Sequence, residues 1–440
     1  MQTSPAWETL KQFRLAAYRT LGLRKDSLFE LMEAVLAGSG PATIVRLSLA
    51  AVFRRAWPSA PDALADGGVD PDRCRELIQT TAIEPGAGGR PVWALDGTVW
   101  PRPAAGTSPE RTYGHRTTPG IPQDGVVAAW EYEWLVDVPA PGTGWMRPLD
   151  VARRGPSDGT PTAVAIRLLR GALARRPAAA PRPMAALDSG YDPVQLARAE
   201  LPLELLVRLR SNRVFYRAPG PYQGRGAPRK YGAVFRLADP ATHEAPDASA
   251  TLADPACGRV QVDAWRDLRT KGAADAPFTV VRVRVERLPR RLKPPAPLWL
   301  AWIGGELPAD LADLWRAYLL RFTVEHGFRF LKQALGWTTV RPRDPAAADR
   351  WTWLLALALW QLWLARPLVA DQRLPWERPL PAGQLTPGRV RRAFAGLFAS
   401  LGTPARPPRP RGKAPGRRPG HAPGPRSRHL VARRRPKRAA

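Results

Sequence analysis

The chain has 440 residues, with 67 Lys and Arg against 38 Asp and Glu, a formal net charge of +29, two cysteines and 50 prolines. That length allows two or three domains around a sizeable core, while Cys74 and Cys257, far apart and with no Cys-x-x-Cys anywhere, exclude a disulfide framework and a structural zinc site. So large a positive surplus repels itself unless a polyanion is the usual partner, and nucleic acid is the expected one.

Residues 1–85 read as an N-terminal helical module. Ser27-Leu28-Phe29-Glu30 fits a capping box, followed by a helical stripe of Leu28, Leu31, Met32, Val35 and Leu36 up to Gly38. The module carries no chemical signature; it either binds DNA or simply packs. From Pro91 the pattern turns to strands: Val92–Leu95 stops at Asp96-Gly97, and 126–138 alternates Trp130, Tyr132 and Trp134 on one face, which assigns both tryptophans to the core. A third strand is expected at 146–151, a helix at 162–175, a strand at 184–187 ending in Asp188-Ser189-Gly190, a short helix at 194–200 and a strand at 203–209. The order βββαβαβ suits a mixed sheet with helices on its faces.

Residues 217–296 interrupt this order with Pro/Gly-rich stretches around two β-like runs, 260–265 and 278–286, and read as an inserted β subdomain. A strand at 298–303, a long helix at 309–335 and a buried helix at 351–365 follow. The last contains Thr352 and Gln361 and is too short to cross a bilayer comfortably. With no N-terminal secretion signal, a cytosolic protein without a membrane partner is expected. Residues 367–440 are Arg/Pro-rich; 389–401 suits one basic helix, and the rest of this tail is expected to be disordered. Residues 401–440 hold 11 Arg and two Lys with no acid, so Arg409-Pro410-Arg411-Gly412-Lys413 suits a phosphate-binding arm.

The sequence lacks a phosphate loop, a Gly-x-Ser-x-Gly elbow, His-Glu-x-x-His and a dinucleotide glycine motif, so nucleotide-cofactor, acyl-transfer and zinc-protease chemistry lose weight. Asp96 and Asp188 remain at strand ends, where a sheet fold places its site, although a single Asp there is more often a turn or cap residue. Tyr318, Arg321, Glu325 and Lys332 are more specific: at about 100° per residue they fall within an arc of about 60° on one helix. His326, about 100° round from Glu325, is read as non-catalytic. Three carboxylates suit Mg²⁺, which takes oxygen ligands and keeps several waters, and two such ions can stabilise the attacking and leaving oxygens of phosphodiester cleavage. The scarcity of His and Cys fits a hard-metal site.

On Leu95-Asp96-Gly97-Thr98, Leu187-Asp188-Ser189-Gly190-Tyr191 and the Tyr318/Arg321/Glu325/Lys332 helix, the chain resembles the DDE-type insertion-sequence transposases, in the Tyr-Arg-Glu-Lys branch with a β insertion, and looks like its actinobacterial members. The resemblance covers about Trp93 to Arg366. It implies an RNase H-like α/β catalytic domain at 86–366, interrupted by the β insertion, with Asp96, Asp188 and Glu325 as catalytic triad and ligands of two Mg²⁺ ions, Mn²⁺ being able to substitute. Tyr318, Arg321 and Lys332 would contact phosphates near the cleaved end, and Trp265 would stack a flipped base if it is not simply a core residue.

The implied enzyme binds the terminal inverted repeats of an insertion sequence and catalyses DNA cleavage and strand transfer. Its partners would be double-stranded DNA, at element ends and target, and a second copy of itself in the DNA complex. It would be cytoplasmic and nucleoid-associated when bound to DNA. Three other readings stay open: an RNase H-like nuclease without strand transfer, a catalytically inactive DNA-binding relic, and a basic RNA scaffold.

Overall fold

The computed structural model describes residues 4–38, 40, 42–81, 90–115, 125–139, 144–222, 224, 226–288, 295–381, 383–409, 420, 424 and 426–432. Five helices open the chain: α1 (Pro5–Arg19), α2 (Lys25–Ala37), α3 (Ile44–Ser48), α4 (Ser59–Asp66) and α5 (Pro71–Thr80). The stripe on α2 is fully buried, as its spacing requires. The capping box does not form. The helix starts earlier, at Lys25, behind a left-handed Arg24 with φ 55°. Glu30 has a stronger use than capping: its buried carboxylate accepts from the Arg54 backbone N–H at 3.1 Å and from Arg54 Nε at 2.9 Å.

The catalytic-type core follows in the expected order. β1 (Val92–Pro101), β2 (Thr112–His115), β3 (Val126–Asp137) and β4 (Arg147–Arg154) lead to α6 (Pro161–Ala174), β5 (Met184–Leu187), α7 (Pro193–Arg198) and β6 (Glu204–Leu209). β3 pairs antiparallel with β1, β2 and β4, whereas β5 lies parallel to both β1 and β6. This is the RNase H-like mixed sheet: hairpin-connected strands on one side, helix-crossover parallel strands on the other.

The insertion contributes β7 (Val214–Tyr216), β8 (Val234–Arg236), β9 (Ala248–Asp254), β10 (Gly258–Thr270) and β11 (Ala273–Val285), and the chain returns through β12 (Leu298–Ile303). It is continuous with the core sheet. β12 pairs antiparallel with β6 and β11, giving the order β2-β3-β1-β5-β6-β12-β11-β10-β7-β8 among the described residues. The two expected runs lie in β10 and β11, while β7, β8 and β9 had no signal; Pro and Gly in the connections say nothing about where strands pair.

Then come α8 (Ala312–Arg329), a π-helical turn (Phe330–Ala334), α9 (Pro345–Ala365) and α10 (Pro387–Phe394). α8 packs against β1 and β5. α9 is enclosed on all sides: the N-terminal helices, α10 and one face of β1 and β3 share one apolar core with it, including Phe29, Trp134, Leu357 and Phe394. The N-terminal module therefore does not pack on itself alone.

The basic helix expected at 389–401 is present, as α10 and the helical turns that follow it to Leu401, and the expectation of disorder is corrected on either side of it, where Leu385 and Ala405 are 3 % and 4 % exposed. Val390 and Phe394 are fully buried, and Arg391 donates to the carbonyls of Val35 and Ala334 at 2.8 Å and of Gly40 at 3.2 Å. A few apolar residues at helical spacing outweigh the Arg/Pro composition around them. The segment 426–432 returns to the β1–β2 connection, where His429 donates to the Gly106 carbonyl at 2.9 Å. Of the proposed phosphate arm, only Arg409 lies within the described residues.

Candidate active site

Strand lengths create the site. β1 pairs with β5 only from Val92↔Met184 to Leu95↔Leu187, but with β3 as far as Pro101↔Ala129. Beyond Leu95, β1 outruns its parallel neighbour and leaves an edge without a described strand beside it. The first strand does not stop at Asp96-Gly97 as expected: Asp96 lies within β1, whereas Asp188 is the first residue past β5, and both come one step after the last matched pair of two parallel strands. Both line a cavity of about 530 Å³ together with Thr98, Glu131, Glu133, Tyr191 and Lys332.

Glu325 arrives from α8 and is the most exposed of the three acids, at 57 % of its side chain. It does not line the cavity; Arg321 connects it there, with contacts of 3.3 Å to Asp96 Oδ2 and 3.5 Å to Glu325 Oε1. Asp188 faces Arg208 at 3.8 Å and accepts from the Ser189 N–H at 2.6 Å. Burial pushes the Asp96 carboxyl up to about 6; Arg321 opposes this, and the negative charges of Asp188 and Glu325 add to it. Asp96 thus lies within electrostatic reach of both other expected acids.

Among the described residues no three His, Cys, Asp or Glu side chains are gathered closely enough to hold a metal ion. The guanidinium of Arg321 occupies the space between Asp96 and Glu325. The donor set nevertheless suits a hard divalent cation: carboxylate oxygens on separate elements, two of them side by side, with Asp96 buried among like charges that a cation would offset.

The cationic face of α8 divides in two. Lys332 lies in the π-helical turn beyond α8, where its Nζ donates to Thr98 Oγ1 at 2.6 Å on the rim of the cavity. Tyr318, expected to touch DNA, is instead fully buried. Its ring lies 5.6 Å below the Arg321 guanidinium, and Phe322 flanks the same group at 5.2 Å. Burial raises the Tyr318 hydroxyl above its ordinary value. A tyrosine so placed supports the arginine rather than reaching a phosphate. His326 is exposed, as is Glu325.

Trp265 is a correction of the same kind. It is 1 % exposed, its Nε1 donates to the Glu244 carbonyl at 2.9 Å, and Phe235, His243 and Trp299 surround it within 6 Å between ring centres. The strand alternation that displays Trp265 turns it inward, so no face is free to stack a base. Trp130 and Trp134 are core residues, as expected.

Sequence reasoning missed Glu133 and Tyr191. The Tyr191 hydroxyl donates to Glu133 Oε2 at 2.6 Å, and Arg154 Nε lies 3.7 Å from Oε1. Burial pushes the Glu133 carboxyl up to about 7, against the pull of Tyr191 and Arg154. The signal was available: Glu131 and Glu133 alternate with the tryptophans of β3, putting two acids on a strand face that ordinary packing would make apolar.

Among curated proteins none matches the sequence. A solved structure described as a piggyBac transposase synaptic complex with hairpin DNA is similar to this chain at 12 % identity and a TM-score of 0.46, covering 86 % of this chain and 72 % of that one. The family model described as DDE superfamily endonuclease matches residues 17–272, a span that includes Asp96 and Asp188 and ends before Glu325. With more than half of its length so matched, the chain belongs to the DDE superfamily endonucleases.

Proposed function

We propose that the protein is the transposase of an insertion sequence: it binds the element's terminal inverted repeats, cleaves DNA there and joins the freed end to target DNA. The observation that carries the reading is the placement of Asp96 and Asp188 at the same level of two adjacent parallel strands, with Arg321 linking Asp96 to Glu325. Asp96, Asp188 and Glu325 would hold a pair of divalent cations, Mg²⁺ or Mn²⁺, which supply Lewis-acid stabilisation of the attacking and leaving oxygens.

The chain's own residues do the rest. Arg321 and Lys332 present positive charge to the scissile phosphate, Arg321 as a two-pronged donor and Lys332 as a point charge, while the Tyr318 ring fixes the guanidinium from below. When DNA engages Arg321, its long contacts to Asp96 and Glu325 are free to give way and release both carboxylates to the cations. The exposed arginines Arg208, Arg210 and Arg213, on and after β6, extend a phosphate-binding surface beside Asp188.

Residues 86–366 act as the catalytic domain, with 217–296 as its insertion. Residues 1–85 and 367–440 flank it, and two copies pair to hold two element ends. The proposed enzyme acts in the cytoplasm, and on the nucleoid when bound to DNA; no described helix is long and apolar enough to cross a membrane.

The test uses DNA carrying the inverted repeats that flank the gene. Wild-type protein yields Mg²⁺-dependent nicks at the repeat ends and joined products from a pre-cut end. Asp96→Ala, Asp188→Ala and Glu325→Ala each lose both products while still shifting the repeat DNA. Nicks without joined products would reassign the protein as a nuclease; retained cleavage in any one variant would remove that residue from the triad.

A further inference from the structure

We infer that Glu133 and Tyr191 are positioning residues of the reaction centre, forming a strap across β1 that sets the separation of Asp96 and Asp188. The inference rests on the assignment of those two aspartates to the metal site and explains what holds them in register where the sheet no longer does. Past Leu95↔Leu187 no backbone ladder joins β1 to the chain leaving β5. Asp188 therefore sits on a loop whose distance from Asp96 needs another constraint.

The Tyr191–Glu133 hydrogen bond supplies it. Tyr191 lies three residues beyond Asp188 and closes a turn on it, its N–H donating to the Asp188 carbonyl at 3.3 Å. Glu133 lies on β3, on the other side of β1, in register with Gly97. The side-chain hydrogen bond thus passes from the β5 loop over β1 to β3 and crosses β1 at the residue next to Asp96. Both partners are largely buried, Tyr191 at 4 % and Glu133 at 3 % exposure, so competition from water for the bond is reduced.

Gly97 makes the crossing possible. A Cβ there would stand 3.1 and 3.2 Å from the two Glu133 carboxylate oxygens, closer than they can sit without shifting. The glycine after Asp96 is the cleft through which the strap runs. A side chain at this position would require the Glu133 carboxylate to give by a few tenths of an ångström beneath the Tyr191 bond.

The experiment measures Mn²⁺ binding to the full-length, metal-free protein by electron paramagnetic resonance of the free ion, alongside cleavage of repeat-end DNA. Tyr191→Phe, which removes one oxygen, and Glu133→Ala each weaken Mn²⁺ affinity roughly 10- to 100-fold, the range seen when an outer-shell partner of a metal ligand is lost. The double variant loses no more than either single one, because both break the same bond. Glu133→Gln, whose amide oxygen still accepts from Tyr191, recovers most of the loss. Metal-free melting temperatures separate this effect from misfolding, and Tyr191→Phe is the variant that preserves shape.

Wild-type Mn²⁺ affinity in Tyr191→Phe, multiplying losses in the double variant, or a Glu133→Gln as impaired as Glu133→Ala would each overturn the strap. Asp96→Ala is the control for the underlying assignment. If it loses Mn²⁺ while Tyr191→Phe does not, the strap alone fails; if it binds Mn²⁺ normally, the metal assignment fails and the strap with it.

Discussion

Arg14 on α1 and Arg321 on α8 are 2 % and 3 % exposed, and each lies among two aromatic rings and side chains from distant parts of the sequence. Arg14 is closed on every side: it pairs with buried Glu33, donates to Gln361 Oε1 at 2.8 Å and caps the Gly402 carbonyl at 3.0 Å. Arg321 makes longer contacts, 3.3 and 3.5 Å, to two carboxylates, one at the cavity and one in solvent. The same residue type at the same burial therefore has two kinds of surroundings. Arg14, whose partners are all internal, joins α1, α2, α9 and the chain after α10; Arg321, with longer contacts to one acid at the cavity and one in solvent, is the arginine proposed to meet DNA.

The largest expected effect lies on the closed side. Arg14→Ala strands the Glu33 carboxylate, which burial already pushes above its ordinary value, and removes a donor from Gln361. Loss of one partner of a buried pair costs about 3–5 kcal/mol, to be read from urea unfolding, with cleavage by the remaining folded protein unchanged. A smaller loss would mean that the N-terminal helices do not depend on this junction.

Trp265 tests whether the insertion belongs to the same class. Arg282 stands 5.0 Å over the Trp265 ring and is anchored on buried Asp263 at 2.9 Å, again a closed arrangement. Trp265→Ala should destabilise the protein by about 3 kcal/mol or more and leave the distribution of cleaved and joined products as it is. Altered products at unchanged stability would return Trp265 to the DNA-contacting residues.

The contrast between the two arginines also marks where sequence reading ends. β5 and β12 were legible to the residue as short apolar runs bounded by turn signals, and Asp188 followed from the end of β5; the Asp-Gly after Leu95 marked Asp96 although β1 runs on to Pro101. Helical spacing likewise placed Arg321 and Glu325 on one face. Burial was not legible there: a 100° periodicity gives the angular position of Tyr318 but not how deep α8 sinks against β1, and that depth turns a phosphate contact into a support. Glu133 escaped because its role depends on Tyr191, 58 positions away, and on an absent side chain at Gly97. The chain on either side of the basic helix escaped because composition averages over the few residues, Leu385 and Ala405 among them, that anchor it.

On the open side, Arg321→Ala should lower cleavage about 100-fold or more, the loss expected when one preorganised donor to a charged transition state is removed. It should cost less stability than Arg14→Ala, because Glu325 stays hydrated and Asp96 opens onto the cavity. If Arg321→Ala cleaves normally but melts as early as Arg14→Ala, the two arginines are of one kind and the distinction collapses.

Glu133 provides the finest test, because it is a buried acid of the open site whose cost can be followed with pH. Its carboxyl is held up at about 7, against an ordinary value near 4.5, chiefly by burial. Between those values the folded protein keeps a proton that the unfolded chain has released, so metal-free stability must fall as pH rises through the window and stay low above it. A shift of that size corresponds to at most about 3 kcal/mol. Asp96, held up at about 6, adds a decline of the same sign that is complete at lower pH. Urea unfolding in a chelator from pH 5 to 8 should therefore show stability still declining between pH 6 and 7 in the wild type, and that upper part should vanish in Glu133→Gln while the lower part persists. Superimposable curves would mean that the carboxylate is already compensated by Arg154, and that Glu133 belongs with the closed pairs such as Arg14 and Glu33.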